Sequence, residues 1–343
     1  MSLGSLPPVP TDPAPRSPDP LRGPQDATLR RAGRSGVRRG DRVFRGLTRT
    51  AGSAVLAIIL SIGVFLVIKA IPSLQDNQGH FLTSKEWDPN NTPARFGIVA
   101  LVFGTVLSSL LAMVIAFPVA MGVALFISHY APRRLAGPLG YVIDLLAAVP
   151  SVVYGLWGIF FLNSRIIDTS TWLHTYFGWI PIFGSDGPYG RSIFLASVVL
   201  AIMILPIIAS LSREVFLQVP LANQEAALAL GATRWEMIRI AVLPFGKPGV
   251  IGATMLGLGR ALGETIAVAL VLSPAFIVGF NILESPSGNT IAANIALGFS
   301  EATDTGRSAL IASGLVLFGL TLVVNTVARA VIYRRRDFTG GTL

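Results

Sequence analysis

PLANQEAALALGATRWEMIRIAVLPFGKPGVIGATMLGLGRALGETIAVALVLS, residues 220–273, decides how the rest of the chain is read. Its first half has the marks of two short helices. Leu221 to Leu230 is rich in Ala, Leu, Gln and Glu, all good helix formers, and Gly231 supplies a left-handed stop. Thr233 and Glu236 have the spacing of a capping box, which opens a second short helix through about Val242. Pro244 and Pro248 are expected to end that helix and start the next. The second half is an apolar run carrying Arg260 and Glu264. Arg260 lies about 12 residues beyond Pro248, hence about 18 Å along a helix and near the middle of a ~30 Å hydrocarbon layer. A central Arg costs about 2.5–3.5 kcal/mol on insertion scales, so it must face protein or water. Glu264, at i+4, is expected on the same helical face. Two uses fit: an ion pair that locks helix packing, or an anion station on a pathway. Gly252, Ala253, Gly257, Gly259, Ala261 and Gly263 around it allow close helix approach and leave room for a narrow polar passage.

Composition sets the class. The 343 residues are 52% hydrophobic and only 13% charged, low for a soluble protein. Several apolar runs approach or exceed the ~20 residues that a bilayer crossing needs. There are no cysteines, which excludes disulfides and thiolate metal sites. His80, His129 and His174 lack ligand spacing, so no metal is expected. The sequence contains no GxxxxGK[ST] phosphate loop, no HExxH and no nucleophile elbow. Gly257-Leu258-Gly259 sits within a membrane run and does not follow a strand, so it is no dinucleotide turn. Neither covalent chemistry nor a cofactor is expected of this polypeptide.

In chain order, residues 1–29 are rich in Pro, Ser and Asp without a sustained apolar face and read as disordered. Arg30 to Arg49 carries eight arginines, with Asp41 the one acidic residue. An apolar run follows directly, which favours attraction to anionic membrane lipid over nucleic-acid binding. Residues 1–49 are thus a cytoplasmic tail, and 50–94 hold a first membrane helix (about Ala51 to Ile71) and an external loop. That run is too long for a signal peptide and is read as an uncleaved anchor.

Further crossings are expected at 96–128, bent or ended at Pro118; at 139–162, with Pro150 in mid-membrane; at 192–211, interrupted by Pro206; at 249–272; and at 308–332. Residues 163–190 read as an external loop whose Trp172, Tyr176, Phe177 and Trp179 suit the membrane interface. Thr290 to Phe299 reads as a helix lying on the outer face. Asp144 is expected to pair with an internal Arg or to cap helix packing, with a proton relay as the rival reading, and Asn325 to make an interhelical hydrogen bond. On this topology eighteen basic residues fall on one side of the membrane and six on the other. The excess puts both termini in the cytoplasm. The fold class is therefore all-α, a polytopic membrane protein with six transmembrane helices and cytoplasmic N and C termini.

Glu225-Ala226-Ala227, Gly231 four residues later, and Leu243-Pro244 resemble the cytoplasmic EAA loop of ABC-importer permeases. The apolar residue usual two positions before the Leu is Ala241 here, with Ile240 beside it. Gly259-Arg260-Ala261-Leu262-Gly263-Glu264-Thr265 resembles the fifth membrane helix of phosphate-importer permeases, and Pro150-Ser151-Val152-Val153-Tyr154-Gly155-Leu156-Trp157-Gly158 resembles the same branch. The resemblance spans most of 95–335 and implies a MetI-like permease core, followed by a cytoplasmic tail at 336–343. It implies a bacterial inner-membrane subunit that imports phosphate with a related permease subunit, ATP-binding subunits and an extracytoplasmic phosphate-binding protein. In that picture Arg260 and Glu264 are substrate-pathway residues. Glu225, Ala226, Ala227, Gly231, Leu243 and Pro244 meet the ATPase. Rival readings are a permease for sulfate or molybdate and a membrane sensor or scaffold for phosphate signalling.

The orientation is checked by reporters. A fusion after Leu343 or an insertion near Arg38 is expected to read cytoplasmic, and one near Asn77 external. The opposite result at two of these sites removes the orientation.

Overall fold

The structure is a computed structural model and describes residues 39–184 and 187–336. The Pro-rich segment 1–29 and the tail 337–343 lie outside the described residues. Contacts divide the chain into two units, Met1–Ser61 and Ile62–Leu343. Of the first, the described part is the start of helix α1 (Arg39–Asp76), whose side chains at 43–61 are all exposed. The helix begins inside the arginine-rich segment, ahead of the boundary expected at residue 50, because nothing in 39–49 breaks it. It also runs past Pro72 to Asp76.

The second unit is built from helices and one two-stranded ribbon, β1 (Trp87–Asp88) paired antiparallel with β2 (Arg95–Phe96). The helices are α2 (Val99–Leu125), α3 (Arg133–Ala147), α4 (Ser151–Trp157), α5 (Asn163–Phe177), α6 (Ile193–Leu217), α7 (Leu221–Ala229), α8 (Arg234–Met237), α9 (Leu243–Leu262), α10 (Ile266–Val271), α11 (Ile291–Gly298) and α12 (Asp304–Arg336). π-Helical turns at Phe126–Tyr130, Gly158–Leu162 and Ile238–Val242 extend or join them. Among the described residues five helices are long and apolar enough to cross a membrane, and the bent pair Arg133–Ala147 and Ser151–Phe177 makes a sixth if counted as one span.

Helix α6 is the hub. It is apolar on all sides, as a helix buried all round must be, and two-thirds of its most hydrophobic stretch is covered by protein. Ser192 caps it, accepting a hydrogen bond from the Leu195 N–H. Against it α2 sets Ala112, Ala116 and Ala120, all fully buried at every fourth position. Such small-residue rows let backbones approach closely where no hydrophobic effect drives helices together. Helix α9 docks on another side of α6. A Cβ at Gly257 would come within 2.8 Å of the Ile208 side chain.

Four prolines expected to interrupt or end helices do not. Pro118 and Pro206 lie inside continuous α2 and α6. Pro244 and Pro248 fall in α9, which joins α8 through a π turn, so that Arg234–Leu262 is one rod. Pro244 follows directly on the π turn at Ile238–Val242. Residues 163–177, expected in a loop, form α5. Its Trp172 and Tyr176, with Trp179 beyond it, are exposed, as interfacial aromatics would be.

Residues 273–290 form the loop expected of them, and helix α11 follows; Leu297 is exposed, while Ile291, Ala292, Ala293 and Asn294 are buried. Gly104 and Thr105 of α2 explain why. The absent side chain of Gly104 admits the Asn289 carbonyl, and the Thr105 hydroxyl accepts from the Ile291 N–H at 3.0 Å while donating to the Leu101 carbonyl at 2.7 Å. Thr290 then caps α11. At the start of α6, Arg191 Nη2 donates to the Leu270 and Leu272 carbonyls at 3.0 and 2.9 Å, closing the C-terminal end of α10.

A Cβ at Gly104 would stand 2.1 Å from the Asn289 carbonyl oxygen, a backbone atom that cannot rotate aside. Gly104→Ala is expected to destabilise the protein by about 1–3 kcal/mol, read as a lowered midpoint of thermal unfolding in detergent. Gly122→Ala, on the same helix but with open space, is expected to melt at or above the parent.

Candidate functional site

Two apolar crossings are broken near their middles, and the breaks face each other. The first is at Pro150. In a continuous helix the Leu146 carbonyl would accept from the N–H of residue 150, and proline has none. The Tyr154 hydroxyl takes that place and donates to Leu146 O at 2.9 Å, with the Val149 N–H at 3.3 Å beside it. The helical segments on either side meet at 87°. Gly155 then lets α4 press on α10, since a Cβ there would lie 2.9 Å from the Ala267 Cα. Pro150, Tyr154 and Gly155 thus each have a separate task within one motif.

The second break is at Gly263. Helix α9 ends at Leu262, and Glu264 lies beyond it. The expected i, i+4 alignment of Arg260 with Glu264 on one helix is therefore not formed. The Glu264 carboxylate instead accepts from the Ala267 N–H at 3.2 Å, capping the first turn of α10. This is the use to which a helix N-terminus ordinarily puts a carboxylate. Among the described residues neither Arg260 nor Glu264 makes an ion pair. The pairs that do form belong to Arg213, with Glu214 at 2.6 Å and Asp144 at 3.7 Å. Asp144 has thus found the arginine expected for it, and it also accepts from Ser210 at 2.5 Å.

Arg260 occupies the last turn of α9, where the helix dipole favours a cation. It is half-buried and lines a cavity of about 470 Å³ with Ile207, Met255, Leu256, Gly259, Thr321 and Asn325. The small residues near it divide into two sets. Ala253, Gly257 and Ala261 are buried, whereas Gly252 and Gly259 look onto open space and Gly263 is exposed. Asn325 does not make the expected interhelical hydrogen bond among the described residues; its side chain stands exposed at the cavity. The arrangement offers a guanidinium without a carboxylate partner and an amide, while the Thr321 hydroxyl donates to the Phe318 carbonyl at 2.8 Å. It can hold an oxyanion, and it presents no nucleophile poised for bond making.

Tyr154 was legible as part of a motif but not as a site residue. The signal was its spacing, four residues after Pro150, which matches the carbonyl that the proline leaves free. Thr321 carried no such signal.

The second group of expected residues lies elsewhere. Gly231 adopts φ +85° and ends the α7 turn as read. Thr233 and Glu236 form the full capping box of α8, with N–H and hydroxyl contacts to Glu236 at 2.7 and 2.8 Å. Glu225, Ala226 and Pro244 are exposed, Leu243 is half-buried, and Ala227 packs into a small core with Phe216, Met237, Ile238 and Val242. The surface between them carries exposed Leu221, Leu228, Leu230 and Trp235. From Leu243 to Arg260 the α9 rod spans about 25 Å at 1.5 Å per residue. Leu243 and Arg260 thus lie near opposite ends of one helix.

Residues 116–337 match the family described as binding-protein-dependent transport system inner membrane component. The phosphate transport system permease protein PstC 2 of Mycobacterium bovis is 47% identical over 303 residues, covering 86% of this chain and 92% of that protein. PstC of Xylella fastidiosa is 42% identical over 304 residues, covering 86% of this chain and 91% of its own length. A solved bacterial ABC transporter involved in the import of the acidic polysaccharide alginate shares the fold, with TM-score 0.51 at 17% identity over 85% of this chain and 99% of that one.

The separation of Arg260 from Glu264 is testable by a double-mutant cycle on thermal stability. Arg260→Gln and Glu264→Gln are expected to combine additively, within about 0.5 kcal/mol. A coupling well above 1 kcal/mol would show that the two charges pair after all.

Proposed function

The chain belongs to the family of binding-protein-dependent transport system inner membrane components, and from that membership we propose that it is the permease subunit of an ATP-driven phosphate importer. The observation that carries the reading is Arg260: a cation without a carboxylate partner, at a break in a membrane-crossing rod, beside an open, mostly apolar cavity in which it stands with Thr321 and Asn325. An anion crossing a hydrocarbon layer needs a fixed opposite charge near the middle, and the guanidinium fork matches the oxygens of phosphate. Broken helices at mid-membrane are the usual place for such sites, because backbone and side-chain groups freed there can face a ligand. The curated relatives named as phosphate permeases support the choice of anion over sulfate or molybdate.

In this reading both termini and the Glu225–Gly231 helical pair are cytoplasmic, as the basic-residue excess suggests. ATP-binding subunits dock on the exposed leucines and Trp235 around that pair, with Glu225, Ala226 and Pro244 at the contact and Ala227, Gly231 and Leu243 shaping it. Their closure is carried to Arg260 along α9 as a lever. A second, related permease subunit closes the open side of the Arg260 cavity, where Gly252 and Gly259 present a smooth helix face. An extracytoplasmic binding protein delivers phosphate from the other side. The subunit itself supplies the path, its partners the ATP chemistry.

Uptake by the assembled transporter, normalised to permease in the membrane, tests the reading. Arg260→Gln is expected to assemble normally and lose at least about tenfold in phosphate uptake, the scale of one charge-assisted contact. Arg260→Lys is expected to fall between, keeping a charge without the planar fork. Parental uptake by Arg260→Gln would end the pathway reading and leave Arg260 a packing residue.

A further inference from the structure

The cavity of about 470 Å³ beside Arg260 lies between α9 and α12, and its lining is apolar apart from Arg260, Thr321 and Asn325. These three polar groups are not equally available. The Thr321 hydroxyl turns back to the Phe318 carbonyl of its own helix at 2.8 Å. The Arg260 guanidinium and the Asn325 amide make no hydrogen bond among the described residues. Asn325 follows Thr321 by four residues, so the two share the face of α12 that looks onto the cavity. It is exposed, although its helix is apolar enough to cross a membrane. A primary amide left without a partner in hydrocarbon is costly, and an occupant of the cavity that bonds to it removes that cost.

The two free groups differ in what they can tell apart. A guanidinium only donates, so it holds charge and treats hydrogenphosphate and sulfate alike. An amide donates through its NH₂ and accepts through its carbonyl oxygen. Every oxygen of sulfate is an unprotonated acceptor, so sulfate can take the N–H groups but has nothing to give the carbonyl. Hydrogenphosphate carries the same double charge with one P–OH. That hydroxyl can donate to the amide oxygen while the other oxygens accept from the cation.

We propose that Asn325 is a specificity-determining residue of the pathway: its carbonyl oxygen receives a hydrogen bond from an oxyanion that brings its own proton, while Arg260, lining the same cavity, holds the charge. This rests on the reading of the Arg260 cavity as the anion's path and adds a selection that a cation alone cannot make. The rival use of Asn325 is a bond to the second permease subunit, which would serve assembly and not selection.

The test uses the assembled transporter in nanodiscs without its binding protein, so that selection by that protein is absent. Equilibrium binding of radiolabelled phosphate is measured against two competitors. Sulfate has no proton, and monofluorophosphate has the charge and shape of hydrogenphosphate with fluorine in place of the hydroxyl. In the parent, unlabelled phosphate is expected to displace the label about tenfold more effectively than either competitor, the scale of one hydrogen bond to a charged group. Asn325→Leu keeps the size of the side chain without its polar atoms and is expected to bring all three to within about twofold, mainly by weakening phosphate. Where the leucine variant does not assemble, Asn325→Ala is read in the same way. Arg260→Gln is expected to abolish binding of all three anions. If Asn325 serves only packing or the partner subunit, its loss lowers binding of all three alike and leaves their ratio unchanged, which overturns the proposal. Equal displacement by all three in the parent overturns it too, with the Arg260 reading intact if binding still needs Arg260. Absence of displaceable phosphate in the parent, or binding that survives Arg260→Gln, overturns the Arg260 reading and this inference with it.

Discussion

In a hydrocarbon layer a backbone carbonyl or N–H that loses its helical partner must find another within the protein. This chain breaks two of its crossings, and the polar side chains at those breaks are placed by that requirement. Tyr154 answers the carbonyl freed by Pro150. Glu264 answers an N–H at the start of α10, and Arg191 answers two carbonyls at its end. Once these three have taken their backbone partners, Arg260 is the cation at the breaks that keeps no such fixed bond. Its availability to a passing anion follows from the occupations of its neighbours.

The breaks can be held this way because the rest of the unit is packed tightly around α6. Alanines of α2 and a glycine of α9 bring backbones against it. The contact is rigid because there are few rotamers at it to rearrange. Helix α9 therefore moves as a rod, with the Gly231 turn at one end and Arg260 at the other. Motion confined to the breaks would be the natural response to a push at the Gly231 end.

How much of this was legible in the sequence depended on whether local chemistry decided the outcome. Gly231 and the Thr233–Glu236 box were read correctly because a positive φ and a reciprocal cap are settled within four residues. The apolar runs were found because length alone decides them. The prolines were misread in both directions: Pro118 and Pro206 are carried within intact helices, whereas Pro150, with Ala148 and Val149 before it, turns the chain sharply. What separates these cases is tertiary packing, which no window of sequence contains. The Arg260–Glu264 spacing misled for a similar reason. An i, i+4 pair is informative only on an unbroken helix, and Gly263, read only as a small residue that allows close helix approach, ends this one. The burial of one side of helix α11 was not legible, because it depends on Gly104 and Thr105, far away in the chain.

The link from Arg191 to Leu270 and Leu272 also sets an order on biogenesis. The partners are 79 and 81 residues apart, and the arginine is made first. At roughly 5–20 residues per second, about 4–16 s pass before the carbonyls that receive it have been synthesised. During that interval α6 is already apolar enough to enter the bilayer, while the guanidinium at its start has no protein acceptor there. It must wait among headgroups or water, with its long stem reaching outward. The bond seen in the finished protein is thus a late event, formed when the segment around α10 arrives and exchanges solvent for carbonyl oxygens.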